Sequence, residues 1–456
     1  MIGIIEKFHQ DIEKPGVDEK KFSIILQNYY EELYHLKAEN SRLFELTDKE
    51  LNEIIQRSFE GRLKLIKKLN DFIPNREKED KTLLTRVYDM TRALRYLEDY
   101  VLEVAMRDKL STKQAYITLQ GEPPYFMVAP GQQLQNLEDL QSGDIILTRG
   151  NAFTSAAIAR IGVNDTQFSH LSFLYRNPKE GGKLYTIEAH IEIGSVVAPI
   201  EVHIDQKNSR TVVYRFEDSE MAHKAAQYMF HKVKTQADKG KNIEYNFSMQ
   251  YQDATRLFCS QVIYDGFYEV SSQTIDIPKF KTKFNLGLIE FLNQLGVPVT
   301  AQNIDKLDTF SPGDIEYDPR FTLIAEWKDP KQLRDSRIKD AILTKMFAWM
   351  DHDQYHIHPP LGIALKSQLT WILRRTPGIK KFLVKKLPMN MNIGQMKMFL
   401  TLDKIGGVLK KEVLAVREKK KEPLTLKEIF DSLEAFKNRD KDRTEPLFHH
   451  WLHQKE

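Results

Sequence analysis

The spacing of apolar residues changes twice along this chain, and those changes limit the folds open to it. Up to about residue 118 the spacing is helical. Phe22, Ile25, Leu26, Tyr29 and Tyr30 follow Asp18 at helical steps, and Leu51, Ile54, Ile55, Phe59, Leu63 and Ile66 follow Thr47. Thr47-Asp48-Lys49-Glu50 reads as a capping box, in which Thr47 accepts from an amide in the first turn while Glu50 reaches back. Leu83, Val87, Met90, Leu94, Leu97, Val101 and Val104 alternate steps of four and three, a heptad seam. The expectation is an antiparallel helical bundle over 1–118 with the seam inside. The alternative is a coiled coil that makes a homodimer through these helices.

Pro123, Pro124, Pro130, Gly121 and Gly131 break any helix and place a linker at 119–135. Beyond it the apolar runs shorten to strand length, at 144–148, 170–175, 184–189, 196–202 and 211–215. Gly181-Gly182 is a turn signal that makes the second and third runs antiparallel neighbours. Helices are expected at 219–235 and 254–269. A short strand around Phe321-Thr322-Leu323-Ile324 closes a unit spanning 136–330. From Asp329 the pattern is helical again, giving a C-terminal helical region, 331–456. Composition is that of an ordinary globular protein, with 41% hydrophobic and 29% charged residues. A formal charge of +3 does not call for nucleic acid.

One cysteine in 456 residues excludes an internal disulfide and a zinc site built on several thiolates of one chain. That residue, Cys259, lies in Leu257-Phe258-Cys259-Ser260-Gln261-Val262, at the start of an expected helix. Upstream stand a strand-like His motif, Phe168-Ser169-His170-Leu171-Ser172, and a strand-like Glu motif, Thr186-Ile187-Glu188-Ala189. A thiol, an imidazole and a carboxylate on three elements are the parts of a thiol hydrolase. A helix N-terminus and an adjacent imidazolium both favour the thiolate. The bland readings are a buried core cysteine and a structural strand histidine.

The motifs and their order resemble those of the YiiX-like circularly permuted papain-fold hydrolases, relatives of the NlpC-type peptidases and the lecithin retinol acyltransferase-like enzymes. The likeness starts at Ser142-Gly143-Asp144-Ile145, passes through Ser155-Ala156-Ala157-Ile158, His170, Glu188 and Gly194-Ser195-Val196, and ends at Phe258-Cys259-Ser260-Gln261. Gln261 stands where the family often has Glu, and Tyr245-Asn246 where it often has Tyr-Asp. The resemblance implies an α+β permuted papain-like antiparallel-sheet domain over 136–330, flanked by helical regions. It implies Cys259 as nucleophile, His170 as general base and Glu188 as the group that orients His170. His190, two residues on along the same strand face, is the alternative third member, and Tyr245 is a substrate-site candidate.

The expected reaction cleaves an amide or ester of a peptide or lipid through a Cys259 thioester, with no cofactor. Alternatives are a lipid acyltransferase at a membrane surface and a non-catalytic binding module that keeps the fold. Glu188, His190, Glu192 and His203 also suggest a metal set, as do His352, His356 and His358 and the tail His449, His450 and His453. None has the compact spacing of a known metal motif, so no metal is expected. Gly406-Gly407 lacks the Gly-Lys-Ser/Thr of a phosphate loop. In the C-terminal region Arg374, Arg375, Lys380, Lys381, Lys385 and Lys386 are interleaved with Trp371, Phe382 and several Leu and Ile. Such a segment suits either an anionic membrane surface or a brace against the hydrolase unit. The opening Met1–Lys7 has no secretory pattern and no stretch approaches a membrane span, so a cytoplasmic or peripheral membrane location is expected.

Overall fold

The computed structural model describes residues 1–37, 43–74, 81–106, 126–204, 208–357, 361–373, 376, 390–442 and 446–450. The chain opens with helices α1 (Ile2–Glu13), α2 (Glu19–Tyr34), α3 (Asp48–Phe72) and α4 (Lys81–Ala105). Thr47 and Glu50 make the expected capping box at the start of α3. Every seam residue from Leu83 to Val104 is buried, and α4 packs on α2 and α3 within the chain. The seam is therefore covered by the chain's own helices. A short strand, β1 (Phe126–Val128), follows inside the stretch expected to be linker. Apolar residues between Pro124 and Pro130 suffice to pair with an open sheet edge, which the proline count alone obscured.

The central part contains β2 (Ile145–Gly150), α5 (Phe153–Ile158), β3 (His170–Asn177), β4 (Lys183–His190), β5 (Gly194–Pro199), α6 (Ile200–Ile204), β6 (Asn208–Phe216), α7 (Ser219–Asp238) and α8 (Cys259–Val270). It continues through β7 (Thr282–Lys283), α9 (Ile289–Leu295), β8 (Asp308–Thr309) and β9 (Phe321–Lys328). The run expected as a strand at 196–202 thus splits: β5 ends at Pro199, which has no amide for a ladder, and the chain turns into α6. The last part holds α10 (Pro330–Asp351), β10 (Tyr355–Ile357), α11 (Leu361–Leu373), α12 (Ile393–Lys420), α13 (Leu426–Asp440) and β11 (Phe448–His450). Gly406 and Gly407 lie inside α12.

The main sheet has seven strands in the order β1-β9-β6-β2-β3-β4-β5, with every neighbouring pair antiparallel. Strand alternation divides its side chains between two apolar clusters. Ile145, Leu147, Leu171, Phe173, Ile187 and Val212 enter the large core beneath α7 and α8. Ile146, Leu174, Leu184, Val213 and Trp327 form a smaller core with Leu134, Leu140 and Ile200. Phe168 precedes β3, whose regular alternation starts at His170, and it joins the large core while Leu174 enters the smaller one.

The large core runs through all three stretches of the chain. A buried ionic network also crosses between them. Arg62 of α3 bonds Glu98 of α4 at 2.8 Å and Glu326 of β9 at 2.6 Å. Lys328 reaches Glu98 at 2.7 Å and Asp99 at 3.0 Å, and Arg95 reaches Glu316 at 2.6 Å. Glu103 takes Arg337 of α10 at 2.8 Å and Arg417 of α12 at 3.2 Å. The helical ends are thus held to the sheet by charge pairs as well as by apolar contact.

Candidate active site

Two of the motifs that carry the resemblance are structural. Asp144 is buried and takes both Nε and Nη2 of Arg215 at 2.7 Å, while accepting from the Gln141 amide at 2.7 Å. Gly143, at φ +96, lies so close to α7 that a Cβ would stand 2.5 Å from that of Ala222. This pairing fixes the start of β2 against α7. Gly194, at φ +80, would place a Cβ 2.3 Å from the Ile243 carbonyl. The next residue, Ser195, exchanges bonds with Ile243: its amide donates to the Ile243 carbonyl at 2.8 Å, and its hydroxyl accepts from the Ile243 amide at 3.0 Å. The β4–β5 hairpin thereby holds the segment that carries Tyr245.

The β3–β4 ladder stops at Phe173 and Ile187. Beyond it each strand pairs outward, His170 with Thr148 of β2, and Glu188 and His190 with Val196 and Gly194 of β5. His170, Glu188 and His190 gather at this end of the sheet, where α8 packs on both strands. Cys259 is the first residue of α8, with Phe258 as its N-cap. The segment before α8 is fixed by Tyr245, which bridges Leu257, and by the Asn246 amide, which donates to the Leu257 carbonyl at 3.1 Å.

His170 Nε2 donates to Glu188 Oε2 at 2.8 Å, which leaves Nδ1 for the Cys259 thiol, its other side-chain hydrogen-bond partner. Burial opposes charging of this imidazole. The bonds to Cys259 and Glu188 outweigh it and push the pKa up to about 10. The Cys259 thiol moves the other way. Burial raises it, but the hydrogen bond and charge of His170, with the Ser260 side chain and amide, bring it below the usual thiol value. The two shifts both favour a thiolate–imidazolium pair.

Glu188 serves three histidines. Besides His170, it takes Nε2 of His190 on Oε2 at 3.1 Å and Nδ1 of His203 on Oε1 at 3.0 Å. Burial works against its ionisation. The charge of His203 and the bonds from all three rings nonetheless hold the carboxyl well below its usual range. The His190 ring stacks on His170 with centroids 4.9 Å apart. His203 is buried on α6 and also lies 3.2 Å from the Ser172 hydroxyl. Sequence reasoning considered His203 only in a metal set and missed it as a partner of the carboxylate. The signal was a lone histidine between the apolar residues Val202 and Ile204.

Tyr245 is buried beside the thiol. Its hydroxyl interacts with the Cys259 side chain and backbone amide, and burial, then the thiolate charge, hold its pKa well above the usual phenol value. The two departures from the family pattern meet each other: Asn246 Nδ2 donates to Gln261 Oε1 at 3.2 Å. Gln261 in turn donates to the Asp253 carbonyl at 2.8 Å, and its Oε1 accepts from the amide of Phe258, the α8 N-cap, at 3.4 Å.

The ligand atoms of His170, Glu188 and His190 lie within 4.8 Å of one another. Two imidazole nitrogens and a carboxylate oxygen at that spacing fit a zinc-type cation with an open position. Glu192 is exposed and outside this group. Of the other histidine groups, His352 is exposed and His356 pairs with Glu290. His449 and His450 lie on β11, paired with β10, while His358 and His453 fall outside the described residues.

Residues 139–325 match the family model described as permuted papain-like amidase enzyme, YaeF/YiiX, C92 family. The crystal structure of metalloprotein yiiX from Escherichia coli O157:H7 aligns at 24% identity, covering 40% of this chain and 96% of its own, with a TM-score of 0.30. No curated protein matches the chain. The central stretch of this chain, residues 139–325, is thus similar to the YaeF/YiiX family of permuted papain-like amidases, and it lies between two helical stretches.

Proposed function

We propose that this protein is a cysteine amidase in which Cys259 attacks the substrate carbonyl, His170 moves the protons and Glu188 orients His170. The observation that carries the reading is the unbroken line of contacts from the Cys259 thiol through His170 to Glu188.

In the resting pair the thiolate is ready to attack, and the imidazolium Nδ1 already carries the proton that the leaving amine needs. Attack forms a C–S bond and a tetrahedral oxyanion. The Cys259 amide belongs to the first turn of α8, whose N–H groups have no partner within the helix, so it is a donor for that oxyanion. The Tyr245 hydroxyl, beside the same amide, is a second. The C–N bond then breaks, the amine leaves with the His170 proton, and an acyl thioester remains on Cys259. His170, now neutral, takes a proton from water. The resulting hydroxide attacks the thioester, releases the acid and restores the pair. An ester substrate follows the same course with an alcohol as leaving group. A lipid acyltransferase differs only in the acceptor of the thioester.

A second reading rests on the spacing of His170, Glu188 and His190. A zinc-type cation held there would supply Lewis acidity, and it would take the Nε2 of His170 that Glu188 now occupies. In that reading the three side chains serve as ligands and Cys259 is not the reacting group.

The test is a panel of N-acyl amino acid amides, peptide anilides and acyl esters, followed by intact-mass detection of an acylated protein. The reading predicts an acyl adduct on wild type and none on Cys259→Ala. Turnover that survives Cys259→Ala and stops with a chelator would reject it for the second. A fold kept only for binding would give neither adduct nor turnover.

A further inference from the structure

We infer that α11 docks the protein on an anionic phospholipid leaflet. The helix has an inward and an outward face. Inward, Ile363 and Ser367 are buried, the Ser367 hydroxyl donates to the Ile363 carbonyl at 2.8 Å, and the helix packs on α12. Outward, Leu365, Leu369 and Ile372 are 69%, 55% and 56% exposed. Their i, i+4, i+7 spacing aligns them in one stripe. Six other large apolar residues are comparably exposed among the described residues, but they are scattered from Ile24 to Leu286. Only on α11 do they form a row, and a row of this kind marks a contact surface.

Charge selects the occupant. From Leu361 to Met389 the sequence contains Lys366, Arg374, Arg375, Lys380, Lys381, Lys385 and Lys386 and not one Asp or Glu. Lys366 is exposed on α11 itself. A second protein surface complementary to the stripe would need both an apolar groove and a dense acidic rim. An anionic leaflet offers both at once, hydrocarbon below and phosphate at headgroup level. Among the described residues no helix is long and apolar enough to cross a membrane. Thirteen residues of α11 fit a helix lying in the interface.

The same part of the chain leads back to the candidate active site. Asn390, the next residue described after Thr376, donates its amide to the Glu192 carbonyl at 3.4 Å, two residues beyond His190. Docking through α11 is independent of the reaction chemistry and stands even if Cys259 proves inert.

The full-length protein is sedimented with sucrose-loaded vesicles of phosphatidylcholine alone or with about one-third phosphatidylglycerol, in about 0.1 M and about 0.5 M NaCl. Binding should be about tenfold stronger to the anionic vesicles and should fall severalfold in the higher salt. Leu365→Gln with Leu369→Gln and Ile372→Gln should weaken binding about tenfold, as should Arg374→Gln with Arg375→Gln, Lys380→Gln and Lys381→Gln. Circular dichroism and size-exclusion chromatography verify that each variant keeps its fold. If the apolar triple variant misfolds, Leu369→Gln alone is measured, with a severalfold loss expected. Absence of binding by wild type, or equal binding to both vesicles, overturns the proposal. So does a wild-type dimer that the apolar variant dissociates, since a second copy then covers the stripe.

Discussion

Glu188 and His203 are joined by a 3.0 Å hydrogen bond on the carboxylate oxygen that does not face His170. His203 therefore touches the proposed machinery from behind, through the orienting group. His203→Ala leaves Glu188 Oε1 without that donor, at a cost of about 1–3 kcal/mol in stability. Turnover should fall by about tenfold or more, because Glu188 loses the bond that fixes it behind His170, and the alkaline limb should move to higher pH, because the carboxylate left without His203 favours the imidazolium more strongly. His203→Asn, which restores an N–H donor, should recover part of both. Thermal melts and pH–rate profiles on the three proteins check this.

Glu188→Gln should keep the fold and lower turnover by about 10²–10⁴, because an amide neither holds the imidazole proton nor stabilises its charge. His190→Ala should cost much less, since His190 meets His170 only by stacking and shares Glu188 Oε2 at 3.1 Å. Steady-state kinetics on both variants settle which residue is the third member. The reverse ranking would assign the role to His190.

Gln261 is buried with its amide nitrogen turned to the Asp253 and Tyr251 carbonyls and its oxygen turned to Asn246. Gln261→Glu keeps the acceptor for Asn246 but sets a carboxylate against two carbonyl oxygens. A loss of about 1–3 kcal/mol is expected in urea unfolding. A neutral effect would mean that the loop before α8 can rearrange around the charge.

Glu326 is buried, which raises a carboxyl. Arg62, Lys328, Arg95 and Arg210 outweigh that burial and hold it well below the usual carboxylate range. A depressed folded-state pKa contributes stability above the unfolded value of about 4.3 and loses it as pH falls further. Arg62→Met leaves Glu98 and Glu326 short of a cation and should cost about 3–5 kcal/mol. Chemical denaturation at neutral pH measures the cost, and an earlier acid transition is expected in the variant.

The sheet around the site was legible because strand alternation, turn glycines and a cysteine at a helix start are local patterns. The antiparallel His170 and Glu188 strands and the start of α8 near Cys259 follow from such patterns. The buried charges of α4 were not legible. Arg95, Asp99 and Glu103 sit on the side away from the heptad seam and Glu98 at its flank, and they look like a solvated face until β9 and α10 cover them. The three-histidine cradle of Glu188 was hidden for a similar reason, since His203 reaches it from another element, α6. The segment with Arg374, Arg375, Lys380, Lys381, Lys385 and Lys386 lies largely outside the described residues, and only its neighbour α11 shows the outward apolar stripe.

Metal dependence separates the two readings of the site. If Cys259 and His170 act as a pair, EDTA leaves turnover unchanged, and added Zn2+ inhibits by taking the His170, Glu188 and His190 atoms. Loss of activity on chelation with recovery on Zn2+ would reverse the assignment.

The central claim is that Cys259 is held as a thiolate by His170, and the pH dependence of its alkylation tests that most directly. Iodoacetamide labelling of the folded protein, followed by intact mass, reports the thiolate fraction at the single cysteine. The account predicts a rate that is already at its plateau below the ordinary thiol pKa of about 8.5. It predicts that His170→Ala moves the rise to about that value or above, because burial is then opposed only by the Ser260 bonds. A wild-type profile that rises only near about 8.5 and coincides with that of His170→Ala would contradict it.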